Sequence, residues 1–345
     1  MSILTANPGD VAARSQQAGC DWRQAMCNAI RDPAELCRRL ELDPDPGLID
    51  RTRSVPGQFG LFVPLEFLQR MRPGRLDDPL LRQVLPLALE DQPAGEFVLD
   101  PVDDEAAKVQ PGLLHKYHGR ALLVVTGQCA VHCRYCFRQN YPYEEVRRGL
   151  EDFRPALQQL ERDKSISEIL LSGGDPLTLG DARLRELIGE LAAIDHIKRL
   201  RIHTRLPIVI PQRVTDELIE CLSSTRLVSY VVIHANHAQE LDEAVLSAAT
   251  KLIDGGSVVL NQSVLLRGVN DSVEALVQLS EKLIEHRVLP YYLHQLDRVR
   301  GTAHFEVPEA EGHRLVSEIR KQLPGYAVPR YVREIPGESS KTPLA

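Results

Sequence analysis

The chain has 345 residues, of which 43% are hydrophobic and 26% charged, and its formal net charge is −7. This composition is typical of a folded protein with a large core, and the acidic balance argues against general binding to nucleic acids or membrane surfaces, which requires a basic face. The sequence shows neither the roughly 20 apolar residues that span a bilayer nor a signal peptide. Seven cysteines, an odd number, do not indicate a disulfide framework, so we expect a protein of the reducing cytoplasm.

The N-terminal third predicts a helical extension over residues 1–105, packed on the main domain. Residues 21–41 have helical spacing that is interrupted at Asp32-Pro33, where a second helix can begin. The prolines that follow allow short helices between turns but no long regular element. The sequence assigns no task to this extension.

From about residue 120, short β-branched or leucine-rich runs alternate with amphipathic segments. The runs predict strands at 121–126, 168–172, 198–204, 227–235, 257–266 and 288–295. Helical spacing lies between them, for example at 182–194 and 272–286. Six strand–helix units in succession predict an α/β fold with a parallel sheet, either an incompletely closed barrel or a doubly wound sheet.

Unusual polar chemistry lies in or just after each predicted strand. Three cysteines follow the first strand, SGGDP the second, HTR the third and HAN the fourth, while NQS lies within the fifth and HQLD closes the sixth. In barrel folds the active site is built from the C-terminal ends of the strands and the loops after them. We therefore expect all six units to contribute to one site.

The cysteines after the first strand form a C-x3-C-x2-C motif at Cys129, Cys133 and Cys136. Three uses are open: a structural zinc site with His132 or a distant cysteine as fourth ligand, a redox disulfide, or a [4Fe-4S] cluster with one iron left free. The remaining cysteines have no metal-like spacing, and we expect them to be small buried hydrophobic side chains. They are Cys20, Cys27, Cys37 and Cys221.

The motif and its place after the first strand resemble the radical S-adenosylmethionine (SAM) superfamily. The resemblance implies a partial (β/α)6 barrel over residues 106–336, a [4Fe-4S] cluster on the three cysteines, and SAM at the fourth iron, where reduction yields a 5′-deoxyadenosyl radical. LSGGDPL at 171–177 is similar to the glycine-rich turn that meets SAM in that superfamily. The implied SAM-binding residues are Ser172, Gly173, Gly174, Asp175, His234, Asn261 and Gln262.

Longer segments resemble lysine 2,3-aminomutases more closely. They are RIHTRLPIVIPQRVTDEL (201–218), IHANHAQELDEA (233–244), NQSVLLRGVND (261–271) and YYLHQLDRVRGTAHF (291–305). Those enzymes carry a C-terminal lysine that binds pyridoxal 5′-phosphate (PLP) as a Schiff base, and Lys341 falls on that position, in a PLP-lysine loop over 337–345. By composition alone, a lysine so near the end would be a solvated tail residue. Arg120 is implied as a ligand of the PLP phosphate.

The same resemblance implies how the substrate is bound. Arg138 matches the arginine that holds the lysine carboxylate, and Asp297 and Glu334 match the two acids that hold the ε-ammonium. Aspartate is expected at the second of these positions, so Glu334 keeps the charge on a longer arm. The implied reaction converts L-α-lysine to β-lysine, in the expected R form.

Two departures from the longer aminomutases stand near Lys341. Glu338-Ser339-Ser340 replaces a glycine run, and the sequence stops at Ala345. In this it resembles short aminomutases that make (R)-β-lysine, which a separate ligase attaches to translation elongation factor P. The implied partners are free L-lysine, a flavodoxin- or ferredoxin-type reductant, and a functional link to elongation factor P and its β-lysyl ligase, without nucleic acid or membrane.

Two other functions stay open at this point. One is a catabolic or osmolyte-producing aminomutase acting on lysine, glutamate or arginine, although Asp297 and Glu334 disfavour the carboxylate side chain of glutamate. The other is a non-catalytic zinc or iron–sulfur interaction module.

Overall fold

The structure is a computed structural model that describes residues 21–43, 60–143 and 149–345. The start of the predicted N-terminal extension, with Cys20, lies outside the described residues.

One ten-stranded sheet lies at the centre of the protein, with its strands hydrogen-bonded in sequence order. The strands are β1 Lys108–Gln110, β2 Leu113–Tyr117, β3 Arg120–Thr126, β4 Glu168–Gly173, β5 Arg199–Thr204, β6 Val228–His234, β7 Val258–Val264, β8 Leu289–His294, β9 Arg330–Arg333 and β10 Thr342–Pro343. β3 to β9 are parallel, and β1, β2 and β10 pair antiparallel at the edges.

Helices connect the parallel strands, as parallel neighbours require. In the described residues they are α1 Trp22–Cys27, α2 Pro33–Arg39, α3 Leu65–Leu68, α4 Pro79–Arg82, α5 Arg154–Arg162, α6 Asp181–Ala193, α7 Leu206–Val209, α8 Asp216–Ser223, α9 Glu243–Asp254, α10 Val273–Ile284 and α11 Glu309–Ile319. Short 3-10 helices lie between several of these elements.

The six predicted strands are confirmed as β3 to β8, and each boundary agrees within two residues. The predicted helices at 182–194 and 272–286 correspond to α6 and α10. The sequence reading missed β1, β2, β9 and β10, because strands of two to five residues are too short to show a period.

Buried aliphatic residues fill the space between the sheet and its helices. Leu187 on α6, Leu218 on α8 and Leu252 on α9 are each at most 1% exposed, as is Leu200 on β5. Burying one such side chain contributes about 1.5–3 kcal/mol to stability. The opposite, concave face of the sheet carries polar residues, and side chains from β2 to β8 line a common cavity there. The sheet therefore curves into an incompletely closed barrel, and the doubly wound alternative is excluded.

The described part of the N-terminal region contains the short helices α1 to α4. The break at Asp32 is confirmed, because its side chain caps α2 by accepting a hydrogen bond from the backbone of Ala34 at 3.0 Å. Trp22 packs its ring against the guanidinium of Arg213 at 4.7 Å, which fixes α1 on the barrel. Cys27 is exposed, so the prediction that it is buried is wrong. The exposure of Cys27 is explained by its place in the last turn of α1, a helix whose buried residues are Trp22 and Ala25.

Cys37 and Cys221 are buried, as predicted. Within residues 21–43, 60–143 and 149–345, no helix combines the length and apolar character needed to cross a membrane.

Candidate active site

A cavity of about 320 Å³ lies inside the barrel and reaches the loops after the strands. Nearly all of the predicted site residues line it. They are Cys129, Cys133, Cys136, Arg120, Arg138, Ser172, Gly173, Gly174, Asp175, His234, Gln262, Asp297, Glu334 and Lys341. Predicted site residues from Arg120 to Lys341 thus meet in one space.

Gly173, the last residue of β4, and Gly174, which follows it, allow the cysteine loop to lie directly against the loop after β4. Gly173 has a φ of +124°, and a Cβ there would lie 2.5 Å from the carbonyl oxygen of Thr126. At Gly174 a Cβ would lie 2.1 Å from the carbonyl oxygen of Gln128. The backbone N–H of Gly174 donates to Thr126 at 2.7 Å. The glycine pair is therefore needed for this close approach.

Asp175 ties the same turn to the end of β5. Its carboxylate accepts hydrogen bonds from the hydroxyl of Thr204 at 2.7 Å and from three backbone N–H groups. The three donors are Leu177, Arg205 and Leu206. Asp175 borders the cavity, and through the four donors within the chain its carboxylate also holds two loops together.

The three cysteines of the motif are half-buried free thiols. Burial raises the pKa of Cys129 well above its usual range and raises the pKa of Cys136 to about 12. Thiols in such surroundings are protonated until a metal displaces the proton. Among the described residues, no three His, Cys, Asp or Glu side chains are placed to share one metal ion. Cysteines that hold a four-iron cluster each bind a different iron, so they need not converge on one point.

His234 lies at the end of β6, where its Nε2 is 2.9 Å from the hydroxyl of Tyr135. Burial, together with the charge of Arg205, lowers the pKa of His234 to about 3. The ring is therefore neutral at pH 7 and can act as a hydrogen-bond partner in the cavity.

Asn261 does not line the cavity, which corrects the prediction that it contacts SAM. It is 2% exposed, and its amide oxygen accepts a hydrogen bond from the backbone of Ala235 at 2.9 Å while its amide nitrogen donates to Ala235 and Ser263. Gln262, next to it on β7, does line the cavity. The reason is geometric, because successive side chains of a strand point to opposite faces.

Arg138 is 9% exposed and pairs with Asp104, a residue that the sequence reading missed. Its Nε donates to Asp104 at 2.7 Å and its Nη1 donates to the hydroxyl of Ser172 at 3.1 Å. The nearby Asp104 carboxylate keeps the pKa of Arg138 above its usual range, although burial acts in the opposite direction. Asp104 also forms an ion pair with Lys116, in which Nζ lies 2.9 Å from Oδ1 of the carboxylate.

Glu334 lies just after β9 and interacts with three donors. Tyr117 donates its hydroxyl proton to Glu334 at 2.5 Å, and Lys341 donates from Nζ to the other carboxylate oxygen. Lys116 is 3.7 Å away. Burial opposes ionisation, but the charge of Lys341 and these hydrogen bonds lower the pKa of Glu334 below its usual value. Glu334 is therefore an anion that holds a lysine ammonium.

Lys341 is fixed in the cavity wall and is not a frayed end. Thr342 pairs with Arg333 and Pro343 with Val332, so β10 is a strand and residues 337–345 are not a loop throughout. The last residues also continue onto the core, where the backbone N–H of Leu344 donates to Tyr331 at 2.8 Å.

Asp297, after β8, is the second of the two acids predicted to hold the substrate ammonium, and it also lines the cavity. Burial raises its pKa to about 7, although the charge of Lys341 lowers it. Glu334 adds repulsion that favours the protonated form. The two acids therefore differ: near pH 7 Glu334 is ionised and Asp297 is half-protonated.

Arg120 begins β3, and its guanidinium lies 4.6 Å from the ring of Tyr117, so a cation is available on this part of the cavity.

His203 lies on β5, and its Nε2 atom is buried without a hydrogen-bond partner among the described residues. Burial and the charge of Arg201 lower its pKa well below the usual value. The HTR stretch was the sequence signal for this residue, but its role was not predicted.

The chain is similar to proteins named L-lysine 2,3-aminomutase. It is 48% identical over 324 residues to the protein of that name from Escherichia coli (strain K12), covering 94% of each chain. It is 42% identical over 344 residues to that of Haemophilus influenzae, covering 99% of each chain, and 34% identical over 327 residues to that of Clostridium subterminale, covering 94% of this chain and 77% of the other. This chain belongs to the L-lysine 2,3-aminomutase family.

A sequence model described as the Radical SAM superfamily matches residues 123–280, which contain the three cysteines and β4 to β7. Among solved structures, the chain is similar to Streptococcus suis SuiB bound to S-adenosylmethionine, with a TM-score of 0.49 and 16% identity over 64% of this chain and 51% of that one.

The cofactors of the lysine 2,3-aminomutase family are a [4Fe-4S] cluster, SAM and PLP, and the residues on the cavity suit them. Three free thiols match the three irons that SAM leaves to the protein. Lys341 places an amine on the cavity wall, and Arg120 places a guanidinium there. The Nε2 atom of His203 is a further polar atom in the wall, and it has no hydrogen-bond partner in the part of the chain that the structure describes.

Proposed function

We propose that this protein is a radical SAM, PLP-dependent lysine 2,3-aminomutase, an isomerase that moves the amino group of L-lysine from carbon 2 to carbon 3. One observation carries the proposal: the carboxylates of Asp297 and Glu334 line the same cavity as the guanidinium of Arg138. A substrate with a carboxylate at one end and an ammonium at the other complements this arrangement. The 48% identity over 94% of the chain to a protein of that activity supports it.

At the carboxylate end, Arg138 is held in place by Asp104 and Ser172. It makes hydrogen bonds through Nε, Nη1 and Nη2, and a guanidinium has five N–H groups, so donors remain for a ligand. A fixed planar fork matches the geometry of a carboxylate. Arg138 thus orients the end of the substrate at which the amino group moves.

At the ammonium end, Glu334 and Asp297 attract a cationic side chain. Lys341 already places one ammonium against Glu334, and this contact supports the proposed role of the carboxylate. The ε-ammonium of a lysine substrate would compete with Nζ of Lys341 for Glu334.

When bound, the cluster with SAM supplies a carbon radical that removes an unactivated hydrogen, and PLP supplies a π-system that carries the migrating nitrogen. The chain contributes binding and orientation. Cys129, Cys133 and Cys136 hold the cluster in this proposal, and Lys341 holds PLP. The residues proposed to contact SAM are Ser172, Gly173, Gly174, Asp175, His234 and Gln262, with Arg120 on the PLP phosphate.

The proposed product is (R)-β-lysine, and its proposed use is the modification of elongation factor P by a separate β-lysyl ligase, as the resemblance to the short aminomutases implies. The one-electron donor is proposed to be a flavodoxin- or ferredoxin-type protein, because the cluster must be reduced. The described cysteines are all free thiols, which supports a cytoplasmic location.

The test is an anaerobic assay of the reconstituted protein with L-lysine, L-glutamate and L-arginine in turn. We expect turnover of lysine to β-lysine and none of glutamate, whose side chain would be repelled by Glu334. Preferred turnover of glutamate would overturn the proposal. Addition of the ligase and elongation factor P then tests the use of the product, which should become attached to the factor.

A further inference from the structure

Arg205 places a buried cation directly against one cysteine of the motif. The residue follows β5 and is 7% exposed. Its Nη1 donates a hydrogen bond to Sγ of Cys133 at 2.7 Å. Because a guanidinium stays protonated, this contact brings a permanent positive charge to the sulfur.

The side chain of Arg205 is fixed from its other side. Its Nη2 donates to Gln83 at 2.6 Å and to Glu240 at 3.0 Å. The guanidinium also lies 5.3 Å from the ring of Phe67 and 5.7 Å from that of Tyr135. With an acid, an amide and two rings around it, the guanidinium is directed towards Cys133.

Glu240 is the counterion of this group and is fully buried. One of its oxygens accepts hydrogen bonds from the backbone of Asn236 at 2.8 Å and from Gln83 at 3.0 Å, and the other accepts from Arg205. Burial opposes its ionisation, but the charge of Arg205 and these bonds lower the pKa of Glu240 below the usual value. Arg205 therefore joins Cys133 and Glu240 in a chain of contacts, with its Nη1 on the sulfur and its Nη2 on the carboxylate.

We propose that Arg205 is a positioning residue that raises the reduction potential of the cluster bound at Cys133, and that Glu240 limits the size of this effect. The inference rests on the proposed function in one respect, that Cys133 is a cluster ligand. In the step concerned, a low-potential one-electron donor gives one electron to the cluster, whose charge falls from +2 to +1, and no bond forms or breaks. A hydrogen bond and a cation at a ligand sulfur stabilise the more negative state.

Because the cation of Arg205 is nearer to the sulfur than the anion of Glu240, removing either charge should shift the reduction potential in a different direction. Removing Arg205 removes the nearer charge, so the potential should fall. Removing the charge of Glu240 leaves the cation unopposed, so the potential should rise. Attraction between charges falls with distance and is strong where water is excluded. Opposite shifts from two residues in contact are not expected from a general loss of stability.

The backbone of Arg205 has a separate role that substitution leaves intact. Its N–H donates to Asp175 at 2.7 Å, and this bond does not involve the side chain. Replacing Arg205 alone would leave Glu240 as a buried unpaired charge, which destabilises proteins strongly. The double variant Arg205→Gln with Glu240→Gln removes both charges together and keeps hydrogen-bonding groups of similar size.

The experiment measures the cluster's potential by redox titration monitored by electron paramagnetic resonance, in reconstituted protein without substrate. Compared with the unsubstituted protein, the double variant should have a reduction equilibrium at least tenfold less favourable, which is 59 mV for one electron. Glu240→Gln alone should shift the equilibrium in the opposite direction. The control is Arg213→Gln with Asp181→Asn, which removes an ion pair at 2.8 Å between a buried arginine and an aspartate whose side chain is 17% exposed, and it should leave the potential unchanged.

Measurements of iron and sulfide content distinguish a failure of the ligand assignment of Cys133 from a failure of the proposed role of Arg205. Cys133→Ala should lose the intact four-iron cluster, and retention of that cluster would overturn the ligand assignment itself. A double variant with four irons and an unchanged potential would overturn the role of Arg205 while leaving the proposed function in place. If the double variant binds no cluster, Glu240→Gln decides: a raised potential supports the inference, and an unchanged or lowered one overturns it.

Discussion

Lys341 donates a hydrogen bond from Nζ to the carboxylate of Glu334, which lies opposite it where β10 meets β9. The register explains the contact, because Thr342 pairs with Arg333 and the residues one step further are Lys341 and Glu334. Two residues with different proposed tasks, cofactor attachment and substrate recognition, are therefore coupled by charge. An ammonium that enters the site is attracted by Glu334 and repelled by the ammonium of Lys341.

Replacing Lys341 with alanine should abolish covalent attachment of PLP. The amine is the proposed attachment point, and alanine has no nucleophile. The visible absorbance of covalently bound PLP should be lost in Lys341→Ala and retained in Lys321→Ala, a lysine whose side chain is 65% exposed on the surface. An unchanged spectrum in the Lys341 variant would show that PLP is attached elsewhere or not at all.

Replacing Glu334 with glutamine should raise the KM for lysine at least tenfold. A hydrogen bond to a charged partner contributes about 1.5–3 kcal/mol, and 1.4 kcal/mol is a factor of ten. Glu334→Asp, which keeps the charge on a shorter arm, should lose less. Steady-state kinetics with Glu318→Gln, on the surface of α11, provide the control. Equal KM values for the glutamine and aspartate variants would argue against recognition by charge.

Binding of lysine should weaken as the pH falls below 7, because Asp297 then becomes protonated. Burial raises the pKa of this carboxyl to about 7, and only the ionised form attracts the ε-ammonium. The KM for lysine should therefore be higher at pH 6 than at pH 7.5, since these two pH values lie about half a unit or more on either side of that pKa. In Asp297→Asn the KM should be high throughout this range and nearly independent of pH. A pH profile identical in both proteins would contradict the assignment.

The raised pKa of Asp297 also affects the free energy of unfolding, and this effect favours the folded state at low pH, where lysine binding is weakened. An unfolded aspartate has a pKa of about 3.9, so between that value and 7 the folded state holds a proton that the unfolded state has lost. The contribution of Asp297 is therefore present at low pH and is lost as the pH rises through 7. The difference in unfolding free energy between the unsubstituted protein and Asp297→Asn, measured in urea at pH 5 and pH 8, should change in that direction.

Gly174→Ala should prevent assembly of the cluster site, whereas Gly189→Ala should not. A Cβ at Gly174 would lie 2.1 Å from the carbonyl oxygen of Gln128, so the cysteine loop must move. At Gly189, inside α6, a Cβ would meet no atom within 4 Å, and alanine is favoured over glycine in a helix by about 1 kcal/mol. Iron content after reconstitution and the melting temperature distinguish the two. Full iron content in Gly174→Ala would contradict the proposed close approach.

The sequence predicts β3 to β8 well because most of these strands contain a short β-branched or leucine-rich run between polar segments, whereas the parallel strand β9 has only four residues. Resemblance to a family, and not periodicity, singled out Lys341, whose position depends on pairing between two very short strands. Asp104 and Arg205 were not predicted as partners of Arg138 and Cys133, because those contacts join residues distant in sequence. Asn261 was misassigned next to Gln262, although the alternation of a strand allows only one of two neighbours to face the cavity.

The most direct test of the proposed activity is the identity of the product formed from L-lysine by the reconstituted protein under anaerobic conditions with SAM, PLP and a reductant. Chiral chromatography against authentic standards measures both the position of the amino group and its handedness. We expect β-lysine in the R form. Recovery of L-lysine alone from protein that contains its full complement of iron and PLP would contradict the proposal that this cavity is the site of a lysine 2,3-aminomutase.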